Sequence, residues 1–64
     1  MDAHDALALA RDLMDAHGVG DWEVALDRAR RRAGQTDHSR RRITLSRALM
    51  ALYSPAEARE TILH

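Results

Sequence analysis

An α+β fold is what this sequence predicts, and three segments carry the prediction. Residues 2–18 have the spacing of one apolar helix face, residues 42–46 alternate as a strand does, and residues 54–57 spell the start of a second helix. In the first segment Ala3, Ala6, Leu7, Ala10, Leu13, Met14 and His17 recur every three or four positions. Asp2 supplies an N-cap, and Gly18 a terminator that takes the left-handed conformation at little cost. The acids Asp5, Asp12 and Asp15 fall on the opposite, outer face.

Arg42-Ile43-Thr44-Leu45-Ser46 places β-branched residues in alternation, the pattern of a half-buried strand. The polar stretch Gly34-Gln35-Thr36-Asp37-His38-Ser39 before it reads as a turn. Ser54-Pro55-Ala56-Glu57 combines an N-cap serine, proline at the first helical position and glutamate three residues after the cap, so a helix begins there and runs on toward His64.

The segment between the first helix and residue 34 is ambiguous. Trp22, Val24 and Leu26 alternate as in a strand, but Trp22, Ala25, Leu26, Ala29 and Ala33 fit a helix ending at Gly34. Ala, Leu, Glu and Arg tip the intrinsic propensity toward helix. Sequence statistics alone therefore read the segment as helix, which gives the alternative, an all-α small domain.

A chain of 64 residues accommodates one domain, with a small core and marginal stability. It has no cysteine, which excludes disulfide staples and thiolate metal clusters, and Trp22 and Tyr53 are its only large rings. No run approaches the length of a membrane span, and Met1-Asp2-Ala3-His4-Asp5 has neither the basic start nor the apolar stretch of a secretory signal. A cytoplasmic location is the expectation.

The net charge is zero but unevenly distributed. Residues 1–27 carry seven acids against Arg11, whereas residues 28–47 carry eight arginines against Asp37. All ten basic residues are arginine, a bias that a GC-rich genome by itself would produce.

The order of features is more specific than any one of them. Leu13-Met14-Asp15-Ala16-His17-Gly18 is followed by Trp22 with Asp27-Arg28-Ala29-Arg30-Arg31-Arg32-Ala33-Gly34, then by Ile43-Thr44-Leu45-Ser46-Arg47, then by Glu57-Ala58-Arg59-Glu60-Thr61-Ile62-Leu63-His64. This succession resembles the SprT-like zinc metallopeptidase family over nearly the whole chain. The resemblance implies a helix, a tryptophan-bearing strand, a second strand ending in Leu-Ser, and a helix carrying His-Glu-x-x-His. It thus resolves the ambiguous segment toward strand. The implied fold is helix, antiparallel two-stranded hairpin, helix, spanning 1–64 as a single truncated SprT-like domain.

The departures matter as much. The glutamate that should follow His64, the second helical histidine and the third zinc ligand are missing from the sequence. Ala48 stands where a proline is common, and Gln35-Thr36 where many relatives have a hydrophobic residue and a cysteine. Zinc peptidases need three protein ligands, an open position for water and a carboxylate base. His64 is the one ligand that the resemblance assigns, so the expectation is an amino-terminal portion that is catalytically incomplete, with zinc a cofactor of the whole family domain and not bound tightly here. His4, His17 and His38 have no spacing that completes a site.

If the Trp22 and Ile43 strands pair antiparallel, Arg30, Arg31 and Arg32 approach Arg40, Arg41 and Arg42 at the hairpin tip, where like charges repel. The acidic face of the first helix, solvent and salt, or the phosphates of DNA would neutralise them, and the resemblance favours the last, since some family members act on protein crosslinked to DNA. The plainer reading is a solvated charged face, and no aromatic ring among these arginines offers a stacking platform. The rival function is therefore a non-catalytic binding module that contacts DNA or a protein partner through its arginine-rich hairpin. Trp22, Ile43 and Leu45 read as core. Ile62 and Leu63 read as exposed apolar surface suited to self-association.

Overall fold

A computed structural model describes residues 1–63. The elements are α1 (Ala3–Ala16), β1 (Glu23–Asp27), β2 (Gly34–Asp37), β3 (Arg42–Ser46), α2 (Arg47–Leu52) and α3 (Pro55–Leu63). The α+β class is as expected, and the all-α alternative is excluded by the sheet.

Helix α1 is built as its sequence dictates. The Asp2 carboxylate accepts the His4 amide at 2.7 Å, and Ala6, Ala10 and Met14 are buried. At its far end Gly18 adopts φ +79°, the Val19 amide donates to the Met14 carbonyl at 2.9 Å, and the Gly18 amide donates to the Asp15 carbonyl at 3.4 Å. This paired closure satisfies carbonyls that a helix end otherwise leaves open. Arg11, the lone base among the early acids, has a structural use. Its guanidinium donates to the carbonyls of Gly20 at 2.8 Å and Trp22 at 3.0 Å, which fastens the loop from α1 into β1.

The strands form a mixed sheet in the order β1-β3-β2, and the expected antiparallel two-stranded hairpin is corrected here. β1 runs parallel to β3, with Val24 opposite Ile43 and Leu26 opposite Leu45. The hairpin is made instead by β2 and β3, with Gly34 opposite Leu45 and Asp37 opposite Arg42. The segment read as a turn thus contributes a strand, and only residues 38–41 turn. Two adjacent parallel strands cannot be joined by a tight turn. The chain therefore leaves β1, arches over the end of β3 through residues 28–33, descends as β2 and returns as β3.

Strand alternation gives the sheet two unlike faces. Val24, Leu26, Ile43 and Leu45 lie on the face the helices cover. Glu23, Asp27, Arg42, Thr44, Gln35 and Asp37 lie on the other. The core joins Ala6 and Ala10 of α1, Leu45, Met50 of α2 and Ala58 of α3, ringed by Leu9, Val24, Leu26, Ile43, Tyr53 and Ile62. Trp22 is half-buried and sits just before β1 begins, its ring meeting the His38 ring edge-on at 5.7 Å.

Helix α2 is an element that the sequence reading missed. Its N-cap is Ser46, whose hydroxyl accepts the Leu49 amide at 3.0 Å. The same hydroxyl donates to the Ala29 carbonyl at 2.5 Å, and the Ser46 amide donates to the Ala33 carbonyl at 2.8 Å. Ser46 is fully buried. Helix α3 begins as expected, through a reciprocal box in which the Glu57 amide donates to the Ser54 hydroxyl at 3.2 Å and the Ser54 amide to the Glu57 carboxylate at 3.1 Å.

Two substitutions test this account. Ser46→Ala removes a cap and leaves the Ala29 carbonyl without its donor, a loss of about 2 kcal/mol in chemical denaturation. Leu45→Ala empties the largest fully buried side chain and is expected to cost about 3 kcal/mol, with the cooperative transition lost or nearly so in a domain this small. An unchanged midpoint in Ser46→Ala would contradict the role assigned to the hydroxyl.

Candidate functional site

The two arginine triplets do not meet. The parallel pairing of β1 with β3 places Arg30, Arg31 and Arg32 in the arch, beside the carboxyl end of β3. Arg40, Arg41 and Arg42 lie at its amino end, a strand length of about 13 Å away. The expected crowding of like charges at one hairpin tip is thereby corrected.

At the tip each arginine faces an acid. Arg42 lies in register with Glu23 on one side and Asp37 on the other, and its Nε is 3.2 Å from the Glu23 carboxylate. Arg41 reaches Asp21 at 3.6 Å and Arg40 reaches Asp37 at 3.8 Å. Arg41 holds φ +52° to complete the turn. Asp37 also accepts the Ser39 hydroxyl at 2.7 Å and the Arg40 amide at 3.1 Å. These bonds, the hydroxyl's first, hold its carboxyl below the ordinary value of 3.8.

The arch is organised by Asp27. Its carboxylate accepts the Ala29 amide at 3.0 Å and the Arg32 guanidinium at 2.8 Å. Burial pushes this carboxyl up, but the Ala29 amide, Arg32 and the Thr44 hydroxyl outweigh that effect and leave it below the ordinary value of 3.8. Arg28, Arg30 and Arg31 are exposed and make no ion pair among the described residues, and the same holds for Arg47 at the start of α2.

Between the arch, β2 and α3 lies an open groove of about 660 Å³, bordered by Arg31, Gln35, Thr36, Glu60 and Thr61, with Leu45 at its floor. Gly34 lies in this groove close to α3, where a Cβ would meet the Thr61 methyl at 3.5 Å and the Thr44 carbonyl oxygen at 3.4 Å, ordinary contact distances. Gln35 and Thr36, read from the sequence as turn residues, are strand residues on its wall.

The assigned metal ligand, His64, lies outside the described residues. Among the described residues no group of three His, Cys, Asp or Glu side chains is arranged to hold a metal. His17 caps α1, exposed, and His38 sits in the β2–β3 turn. The described residues by themselves do not make a zinc site, and no hydrolytic step is assigned to any of them.

Sequence reasoning named Ser46 only as the end of a strand and gave Arg28 and Arg47 no functional role. A serine just before Arg47-Ala48-Leu49-Met50 was a cap signal that could have been read. No local signal distinguishes a paired arginine from an open one.

These features define a small α+β domain whose helices cover one face of a three-stranded mixed sheet, with no described helix long and apolar enough to cross a membrane. No protein-family model, curated protein or solved structure matches the chain.

The carboxyl groups of Asp27, Asp37 and Glu57 are all held below their ordinary values, Glu57 chiefly by the Ser54 amide and hydroxyl. A lowered folded value means that the unfolded chain binds protons more readily. The stability these groups contribute is thus fully present above the unfolded values, 3.8 for aspartate and 4.5 for glutamate, and is lost as pH falls through the lower folded ones. Thermal melts should show a falling midpoint below about pH 4.5, and Asp27→Asn should flatten that acid limb. A midpoint unchanged between neutral pH and pH 3 would contradict the assignment.

Proposed function

We propose that this chain is the amino-terminal portion of a SprT-like zinc metallopeptidase domain, supplying the sheet and leading into the metal helix without completing the metal site. The succession of elements carries the reading. Trp22 directly precedes β1, Leu45 and Ser46 close β3, and a boxed helix starting at Pro55 runs toward His64. In such a domain zinc would supply a Lewis acid and an activated water. Of its ligands these residues offer only the His64 imidazole, so the chain by itself is not expected to hydrolyse peptides.

A second reading, a binding module that contacts DNA through Arg30, Arg31, Arg32, Arg40, Arg41 and Arg42, is favoured by the exposure of all six side chains. Phosphate suits arginine because its planar fork donates two hydrogen bonds together. Self-association belongs to either reading, since Leu63 is 44% exposed at the end of α3 and Leu52 is 79% exposed on α2, whereas Ile62, expected to be exposed with Leu63, is half-buried against the core.

Zinc content and casein proteolysis of this chain, set beside a version extended along its reading frame, separate the two main readings. The first predicts equimolar zinc and cleavage for the extended version and neither for the 64-residue chain. If no downstream residues restore zinc or cleavage, the peptidase reading fails and the binding module takes its place.

A further inference from the structure

The sequence presents two equally basic triplets, but the fold makes them electrostatically unequal. At the hairpin tip Arg40, Arg41 and Arg42 meet Asp37, Asp21 and Glu23, one carboxylate each. At the arch only Arg32 is engaged, by Asp27 at 2.8 Å. Arg28, Arg30, Arg31 and Arg47 are exposed and belong to the same end of the sheet, because the Ala29 and Ala33 carbonyls are both hydrogen-bonded to Ser46, the residue before Arg47. Glu60 borders the groove beside Arg31 but makes no ion pair with it among the described residues.

From this asymmetry we infer that the arch, through Arg28, Arg30 and Arg31 with Arg47 beside them, is a docking surface for the phosphate backbone of nucleic acid, and that the tip triplet is not. The inference rests on the nucleic-acid reading above and narrows it. A phosphate that approaches the tip must compete with a carboxylate already in place, whereas at the arch it meets guanidinium groups that pair with no carboxylate among the described residues. Counterion release then favours the arch, since each uncompensated arginine that replaces a condensed cation on the polyanion contributes to binding. Nucleic acid fits better than an anionic membrane. The arch offers only Ala29 and Ala33 between its arginines, with no aromatic or long aliphatic side chain to enter a bilayer interface. With no ring for stacking and no element shaped to enter a groove, the contact is to the backbone and indifferent to base sequence.

The test is fluorescence anisotropy with a labelled DNA duplex and the corresponding single strand, titrated with the whole chain at low salt. The triple substitution Arg28→Gln, Arg30→Gln, Arg31→Gln should weaken binding roughly tenfold or more and flatten the slope of log affinity against log salt by about 3. Arg40→Gln, Arg41→Gln, Arg42→Gln should leave affinity within about threefold and the slope nearly unchanged. Because this second triple breaks ion pairs that support the turn, its circular dichroism must match that of the parent.

A further variant avoids that difficulty. Asp21→Asn with Glu23→Gln alters side chains that are 67% and 71% exposed and frees Arg41 and Arg42. It should raise affinity and steepen the salt dependence. Equal loss from both triples, or no gain on freeing the tip, would overturn the inference while leaving the nucleic-acid reading intact. Absence of any binding by the parent chain to duplex or single strand would overturn both. Capture of the parent by phosphatidylglycerol vesicles in preference to DNA would overturn both in favour of a membrane surface.

Discussion

The hydroxyl of Ser46 is the point on which the fold turns. β1 and β3 are parallel neighbours, so the chain between them must cross the end of β3 before β2 can descend on its other side. That crossing leaves half-buried backbone carbonyls outside the strand ladder, and these need other donors. Ser46 satisfies the Ala29 carbonyl with its hydroxyl and the Ala33 carbonyl with its amide, and its hydroxyl accepts the Leu49 amide in the first turn of α2. One small residue thus ends a strand, starts a helix and, through its hydroxyl and its amide together, anchors the arch. Neither alanine nor a larger polar residue could do all three in a site with no exposed surface.

A core this thin makes such polar fastenings important. Leu45 and Met50 are the largest fully buried apolar side chains, and Ala6, Ala10 and Ala58 bring the helices close to the sheet without adding much apolar area. Burial alone therefore contributes less than in a larger domain. Arg11 on the loop carbonyls, Asp27 on the arch and the Ser54–Glu57 box each fix a segment that apolar contact does not reach.

Charge follows the same topology. The acids of residues 21–23 and the arginines of 40–42 are distant in sequence, but the parallel register brings Glu23 opposite Arg42 and sets Asp21 near Arg41. The basic half of the chain is thereby partly neutralised by the acidic half, and the remainder is concentrated at the arch. What looked like one basic region becomes a neutral end and a positive end of a single sheet.

Local chemistry sufficed for some elements. α1 was legible from its apolar spacing, Asp2 and Gly18, α3 from Ser54-Pro55-Ala56-Glu57, and β3 from alternating Ile43 and Leu45, because caps and amphipathic period act within a few residues. The resemblance to SprT-like peptidases turns the whole segment from Trp22 to Ala33 toward strand where propensity favours helix, and the structure keeps only Glu23–Asp27 as strand. The structure makes that strand parallel, a choice no local pattern records. β2 was invisible, since Gly34-Gln35-Thr36-Asp37 has turn composition and becomes a strand only because β3 offers it an open edge. The arginines were legible as a cluster. Which of them remain open was decided only by tertiary structure, because pairing depends on carboxylates brought across the sheet by strand order and register, and these are long-range consequences of burying Val24, Leu26, Ile43 and Leu45 beneath the helices.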